Sequence, residues 1–183
     1  WSDGTVTVAL IDTDGVAARH MDDLWPELRD RLRALSGEVG GLRRLDAPAG
    51  ALQVRIANPT GMPAALAAAR DLIGPSGPMA ELEATAEGAT LSLRYTDAGR
   101  TALTQRVVAQ SLEILRRRID ETGTREPTIL RQGADRILIE VPGMASADEL
   151  KRLIGTTASL SFHRVLPRGS GEALTLPAAS DPS

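Results

Sequence analysis

Two aspartates near the start of the chain have the spacing that opens a calcium-binding loop. The segment Asp12–Gly15 reads Asp-Thr-Asp-Gly, but the third acidic position and the distant bidentate glutamate of that motif do not follow. A turn that caps a helix is the simpler interpretation, because aspartate accepts hydrogen bonds from the free amides of a first helical turn. The segment therefore predicts the start of a helix and no calcium site.

The histidines, glycines and serines form no other known catalytic or ligand-binding motif. His20 and His163 are the only histidines, and neither has a second histidine or a close acidic pair at the spacing of metal ligands. The glycines at positions 37, 40 and 41 form neither G-x-G-x-x-G nor a P-loop, and no serine lies in G-x-S-x-G. We therefore predict no catalytic residue, no cofactor, no metal and no enzymatic activity.

The composition narrows the class of protein. The 183 residues include no cysteine, which excludes disulfides and thiolate metal sites. The net charge is −3, the basic residues form no run and aromatic residues make up only 2%, so nucleic-acid binding is not expected. No apolar run approaches the roughly 20 residues that cross a bilayer. Residues 167–183 are rich in Pro, Gly, Ser and Ala and are predicted to be a flexible tail.

The first part of the chain has the periodicities of strands and helices in a recognisable order. Apolar residues alternate at Val6, Val8 and Leu10, which predicts a half-buried strand. The patterns that follow are a helix at about 16–35, strands at 42–45 and 52–56, a helix at 63–73 and a strand at 81–85. Residues 1–88 are therefore predicted to form a split β-α-β-β-α-β unit of ferredoxin-like type.

The same order repeats in residues 89–166. The patterns are a strand at 91–95, a helix at about 101–121, a hairpin at 128–141, a short helix that starts at the Ser146 and Glu149 capping box, and a strand from about 160 to 166. The hairpin should turn at 132–135 and bury Ile137, Ile139 and Val141. The predicted fold class is α+β, with two ferredoxin-like units and antiparallel sheets. Periodicity leaves open whether the two copies form separate sheets or share one.

One long motif in the second copy resembles a known family. Residues 112–143 read LEILRRRIDETGTREPTILRQGADRILIEVPG. This string resembles the signature of the SecD family, in which a helix ending R-x-R-I/V-D/N leads through a glycine to E-P, then to Q-G-x-D-R-I, then to a strand ending P-G. Residues 147–165, ADELKRLIGTTASLSFHRV, are similar to the helix and strand that follow in that family.

The resemblance implies a location, partners and a role. The chain would be the base of the first large periplasmic domain of an inner-membrane protein, acting with SecF and the SecY channel complex. The whole protein would use the proton-motive force to help unfolded proteins move across the membrane. In this family the proton-carrying residues lie in membrane helices, one of which directly precedes the first strand, and a head follows the closing strand. Those parts lie outside this sequence.

The signature also supplies the candidate site residues, to which we assign structural or interaction roles. Gly123 and Gly133 are suited to positive φ, and Pro127 and Pro142 restrict the chain at strand edges. The arginines are expected to pair with nearby carboxylates and fix how helix and hairpin meet, with contact to a partner or to the passing chain as the alternative. The full set is Arg116, Arg118, Asp120, Gly123, Glu126, Pro127, Gln132, Gly133, Asp135, Arg136, Glu140, Pro142 and Gly143.

Two other functions compete with the export role. Paired ferredoxin-like units often bind ligands at their interface, so a free-standing small-molecule-binding regulatory module is the alternative. An enzyme of acylphosphatase type would share the fold, but its glycine-rich anion loop and its paired arginine and asparagine are not recognisable in this sequence. A saturable thermal shift with a specific ligand would favour the regulatory module.

Overall fold

The computed structural model describes residues 4–121, 123, 126–143, 146–154 and 160–164, and the predicted tail lies outside these ranges. The strands are β1 (Gly4–Ile11), β2 (Leu42–Leu45), β3 (Ala51–Ile56), β4 (Leu82–Glu87), β5 (Thr90–Tyr95), β6 (Thr128–Gln132), β7 (Arg136–Pro142) and β8 (Leu160–Arg164). The α-helices are α1 (Thr13–Ala34), α2 (Ser36–Val39), α3 (Met62–Ile73), α4 (Asp97–Asp120) and α5 (Ala147–Ile154). The predicted α+β class with antiparallel sheets is confirmed.

The strands form two four-stranded sheets, and each sheet takes a central strand from the other half of the chain. Sheet A has the order β6-β7-β1-β8, and sheet B has the order β2-β3-β5-β4. We expected β1 to join the strands of residues 1–88, but it pairs with β7 and β8. We expected β5 to lead the second copy, but it pairs with β3 and β4. The two copies have therefore exchanged their first strands.

This exchange changes how the chain divides. One unit combines β1 with the chain from Thr104 onwards, and the other unit is Asp14–Leu103. The predicted boundary at residue 88 lies instead in the turn between β4 and β5, which pair over the length of both strands. With residues 14–103 set aside, the first unit runs β1-α4-β6-β7-α5-β8. That is a β-α-β-β-α-β order, and its finer ferredoxin-like description stays a prediction.

Strand β1 is confirmed, but its fully buried face is not the one that carries the alternating apolar residues. Thr7 and Ala9 are completely buried and Ile11 is nearly so. Val8 and Leu10 are only half-buried. β1 lies between two strands and also contacts helix α5. The small side chains of Thr7 and Ala9 therefore occupy most of its covered face together with Ile11, and apolar alternation alone pointed to the other face.

Thr7 offers a test of this burial. Its Oγ1 has no hydrogen-bond partner among the described residues, and the side chain is fully buried. A buried hydroxyl without a partner loses its hydration and gains nothing in return. We expect Thr7→Val, which keeps the shape, to raise the free energy of unfolding by about 1 kcal/mol in urea denaturation. Thr128→Val, at an exposed position of β6, is the control and should change it little; equal effects would contradict the assignment.

The unit Asp14–Leu103 buries the faces of its strands that the sequence predicted. Leu52, Val54 and Ile56 of β3 are at most 1% exposed, and Leu91 and Leu93 of β5 are fully buried. These strands are neighbours in sheet B, so their inward residues form one continuous apolar layer.

The helices of this unit add buried side chains to that core. Helix α1 runs through Pro26 without ending and buries Leu28 and Leu32. Helix α3 buries Met62, Ala65 and Ala69, whereas the predicted Leu66 and Ile73 are half-buried. Two of the three buried positions of this helix are therefore alanines, which fit where a leucine or isoleucine side chain would be too large.

Candidate functional site

The SecD-like signature residues lie at the end of helix α4, in the segment that follows it, and along the β6–β7 hairpin. Most of them are exposed, and Arg118, Pro127 and Glu140 are half-buried. Ile137, Ile139 and Val141 alternate with them on β7 and are fully buried, as predicted. The signature therefore combines a buried apolar face with an exposed polar one.

The hairpin turn is the best-defined part of the signature. Gly133 has φ 72° and Gly123 has φ 69°, so the positive φ predicted for both glycines is confirmed. Arg131 Nε donates a hydrogen bond to the Gly133 carbonyl at 3.1 Å, and its Nη2 donates to the Ala134 carbonyl at 3.3 Å. The Ile11 amide donates to the Asp135 carbonyl at 2.8 Å, which joins the end of β1 to the same turn. Sequence reasoning missed Arg131, although its place two residues before the turn glycine was a signal.

Of the predicted arginine–carboxylate pairs, the described residues show Arg136 with Asp135, and this pair does not join the helix to the hairpin. Arg136 contacts Asp135 at 3.9 Å, and Arg117 contacts Glu113 at 3.9 Å. The first pair lies within the hairpin and the second within helix α4, and all four side chains are at least half exposed. Exposed pairs of this kind contribute little stability. The helix and the hairpin instead contribute fully buried apolar side chains, among them Leu115 and Ile139.

Gly133 provides a direct test of the structural role assigned to the signature residues. Gly133→Val places a β-branched residue at positive φ, a conformation that costs such residues about 1 to 3 kcal/mol. We expect a loss of that size in the free energy of unfolding, measured by urea denaturation. Ala134→Val is the matched control in the same turn, because no positive φ is recorded there. If both variants unfolded at the same urea concentration as the wild type, the turn would not depend on glycine.

Two of the residues first considered for catalysis, Asp14 and His20, have structural partners, and the side chain of His163 lies outside the described part of the chain. Helix α1 begins at Thr13, and Asp14 accepts a hydrogen bond from Arg100 Nη1 at 3.0 Å, so the Asp-Thr-Asp-Gly segment starts a helix as predicted. His20 Nδ1 contacts the Tyr95 hydroxyl. Within the residues that the structure describes, no group of three or more histidine, cysteine, aspartate or glutamate side chains is arranged to hold a metal ion.

Comparison with known proteins then identifies the family. The family described as "Protein translocase subunit SecDF, P1 domain, N-terminal" matches residues 108–167. Protein translocase subunit SecD of Rhodobacter capsulatus is 45% identical over 168 residues, which is 89% of this chain and 30% of that protein. The chain belongs to the SecD family. The resemblance predicted from residues 112–143 is confirmed.

Other SecD relatives match shorter stretches of the chain. Protein translocase subunit SecD of Rickettsia prowazekii is 48% identical over 75 residues, which is 41% of this chain and 14% of that protein. The Aquifex aeolicus subunit is 39% identical over 80 residues, or 44% of this chain and 16% of that protein. The chain thus spans 30% or less of the length of these three relatives. No solved structure matches it.

Along the described ranges, no helix has the length and low polarity needed to cross a membrane.

Proposed function

We propose that this chain is a non-enzymatic, periplasmic support module of a SecD subunit, which assists the movement of exported proteins driven by the proton-motive force. The relatives are named protein translocase subunits. In the complete protein the partners are SecF, the SecY channel complex and the unfolded protein in transit. The 13 signature residues, Arg116 to Gly143, then act through the shape they give the chain, and contact with those partners is the alternative that the charge variants below test.

One observation carries the proposal: β1 is held on both sides within sheet A. It pairs with β7 from Gly4 to Leu10 and with β8 from Thr7 to Ile11. The Ile11 amide extends this attachment to the hairpin turn. A central strand with two ladders cannot be displaced without breaking both, so β1 and the signature hairpin move as one body. If a membrane helix precedes β1, as the resemblance implies, its movement is passed directly to the hairpin.

The experiment asks whether the signature residues of the full-length subunit support export by stabilising the fold or by their charge. Membrane vesicles containing the subunit, SecF and the channel are assayed for export of a reporter protein, with and without a protonophore. Arg116→Gln combined with Arg136→Gln should leave both the melting temperature and the proton-driven rate within about twofold of wild type, because exposed charges contribute little stability. Gly133→Val should lower the two together.

Two results would overturn the proposal. If the charge variants kept the wild-type melting temperature but abolished export, the arginines would act by direct contact or chemistry rather than by support. If the wild-type rate did not change with the protonophore, the proton-motive force would not be involved. Each result refers to a different part of the proposal, so the two failures can be distinguished.

The periplasmic location has a separate test. The chain has no cysteine, so Glu113→Cys introduces the one thiol of residues 1–183, at a side chain that is 78% exposed, and the parent protein without the substitution gives the background labelling. In intact cells from which the outer membrane has been removed, a membrane-impermeant maleimide should label this thiol as fast as it does in lysed cells. Labelling only after lysis would place the unit on the cytoplasmic side.

A further inference from the structure

The unit Asp14–Leu103 has an edge strand beside a basic cleft, and both lie outside the residues 108–167 that match the family. Strand β2 is at the edge of sheet B. A cleft of about 240 Å³ lies against its first residue, Leu42, and is also lined by helix α1 and by Gly40 and Gly41. An open strand edge next to a cleft is the arrangement in which proteins bind extended peptides.

Among the described strands, β2 pairs only with β3, so its other side can accept a further strand. The Gly41 carbonyl accepts a hydrogen bond from the Ala57 amide at 2.8 Å, and the register pairs Leu42 with Ile56. The direction of the main-chain groups alternates along an antiparallel strand, so Leu42 and Arg44 direct their N–H and C=O groups away from β3. Outward groups of an edge strand are a template for a further strand.

The cleft beside this edge is positively charged. Trp25, Arg29 and Arg33 follow one another at intervals of four residues on α1, and all three line the cleft. The lining that the structure describes includes no carboxylate residue. Arg29 contacts the adjacent Asp30 at 3.0 Å, and within the described part of the chain Arg33 has no ion-pair partner. The whole chain carries a net charge of −3, so the sign of this cleft is opposite to the net charge of the chain.

The same edge disfavours pairing with a second copy of itself. Arg43 and Arg55 lie directly opposite each other on β2 and β3, and both are exposed. Arg44 pairs with Asp22, and its guanidinium lies 5.8 Å from the centre of the Trp25 ring. Two such edges would bring like charges together, which opposes self-association. The charge therefore favours an acidic partner.

The loop at the end of the cleft is already fixed in shape. The Asn58 side-chain amide donates to the Glu38 carbonyl at 2.7 Å, and the Asn58 main-chain amide donates to the Val39 carbonyl at 2.9 Å. Gly40 has φ 70°, a conformation that favours glycine. A site whose shape exists before binding loses less conformational entropy when a partner arrives.

We propose that β2 and this cleft form a docking site for an extended, acidic segment of another polypeptide. The segment adds a strand to β2 by hydrogen bonding to Leu42 and Arg44, and one of its carboxylates lies between Arg29 and Arg33. Trp25 packs against the neighbouring side chain of the segment. The site does not depend on the proposed export role, and it is tested on the chain itself.

The test uses seven fluorescein-labelled Thr-Val host peptides, each with a single glutamate at a different position. Binding to the chain is followed by fluorescence anisotropy. We expect binding for glutamates on one face of the peptide only, since alternate residues of a strand face opposite ways. Arg29→Gln combined with Arg33→Gln should weaken binding by at least about tenfold. The best peptide with N-methylated backbone amides should lose binding to a similar extent, because it cannot pair with β2.

The matched control removes two exposed arginines that lie outside the cleft and outside the signature set, with Arg70→Gln and Arg117→Gln, and should change the affinity by less than about twofold. The proposal is overturned if no peptide binds at about 1 mM, if the cleft variant binds like wild type, or if the N-methylated peptide binds equally well. Two further outcomes also overturn it. In one, the loss of Arg29 and Arg33 weakens binding to phosphatidylglycerol vesicles but not to any peptide. In the other, it changes only the self-association of the chain measured by sedimentation.

Discussion

Replacing Gly99 by alanine should lower the free energy of unfolding of the unit Asp14–Leu103 by about 3 kcal/mol or more. A Cβ atom at this position would lie 1.9 Å from the Glu81 carbonyl oxygen, 2.6 Å from its carbon and 2.7 Å from its Cα. All three contacts are far shorter than van der Waals distances, and all three are with main-chain atoms. The substitution therefore forces two backbone segments apart rather than moving a side chain.

The surrounding hydrogen bonds prevent an easy relaxation. The Thr96 amide donates to the Glu81 carbonyl at 3.0 Å, and the Thr96 hydroxyl donates to the Ala80 carbonyl at 2.6 Å. The same hydroxyl accepts a hydrogen bond from the Gly99 amide at 2.9 Å, in the position of a helix N-cap. Because this N-cap bond ties Gly99 to Thr96, separation of Gly99 from Glu81 would strain the two bonds from Thr96 to Glu81 and Ala80, and their loss adds to the steric cost.

Gly37→Ala is the matched control for this prediction. Gly37 also lies in a helix, and a Cβ built there meets nothing within 4 Å. Alanine favours the helix over glycine by about 1 kcal/mol in an interior position. Urea denaturation should therefore show no loss for Gly37→Ala and a large loss for Gly99→Ala. Similar midpoints for the two variants would contradict the close approach of Gly99 to Glu81.

The individual elements were predictable because their signals are local. The alternation of Leu52, Val54 and Ile56 marked a strand and its buried face, and both are confirmed. The turn glycines of the signature were predictable for the same reason, since a positive φ depends on one residue and its neighbours. Local periodicity contains enough information for these features.

Strand pairing was not predictable in the same way. β1 and β5 are both alternating strands followed by a long helix, so their patterns do not specify which sheet each one joins. That choice depends on contacts between residues far apart in sequence, such as Thr7 with Ile139. Gly99 was overlooked for a related reason, because only its approach to the distant Glu81 makes it important.

The candidate cleft was also hidden from sequence reasoning. The glycines at 37, 40 and 41 match no phosphate-binding motif, and motif matching therefore set them aside. Their importance comes from the fold, which places Gly40 and Gly41 beside Arg29 and Arg33 of a helix that precedes them. A site assembled from an edge strand and a helix face has no fixed spacing in the sequence, so only the three-dimensional structure reveals it.

The exchange of first strands makes a second prediction with a large effect. Residues 1–88 lack β5, the strand that lies between β3 and β4, and residues 89–166 lack β1, the strand that lies between β7 and β8. Each piece therefore leaves one sheet without a central strand and exposes the apolar face of the others. We expect neither piece alone to show a cooperative unfolding transition by circular dichroism, which amounts to loss of the whole folding free energy of each unit.

Mixing the two pieces should restore the fold, because each supplies the strand that the other lacks. The expected result is recovery of the β-sheet signal at a one-to-one ratio, with a melting temperature that rises with concentration as mass action requires. The control piece is residues 14–103, which keeps all four strands of sheet B and should unfold cooperatively by itself. If residues 1–88 and 89–166 each folded alone and did not associate, β1 and β5 would belong to the sheets of their own halves, and the exchange would be wrong.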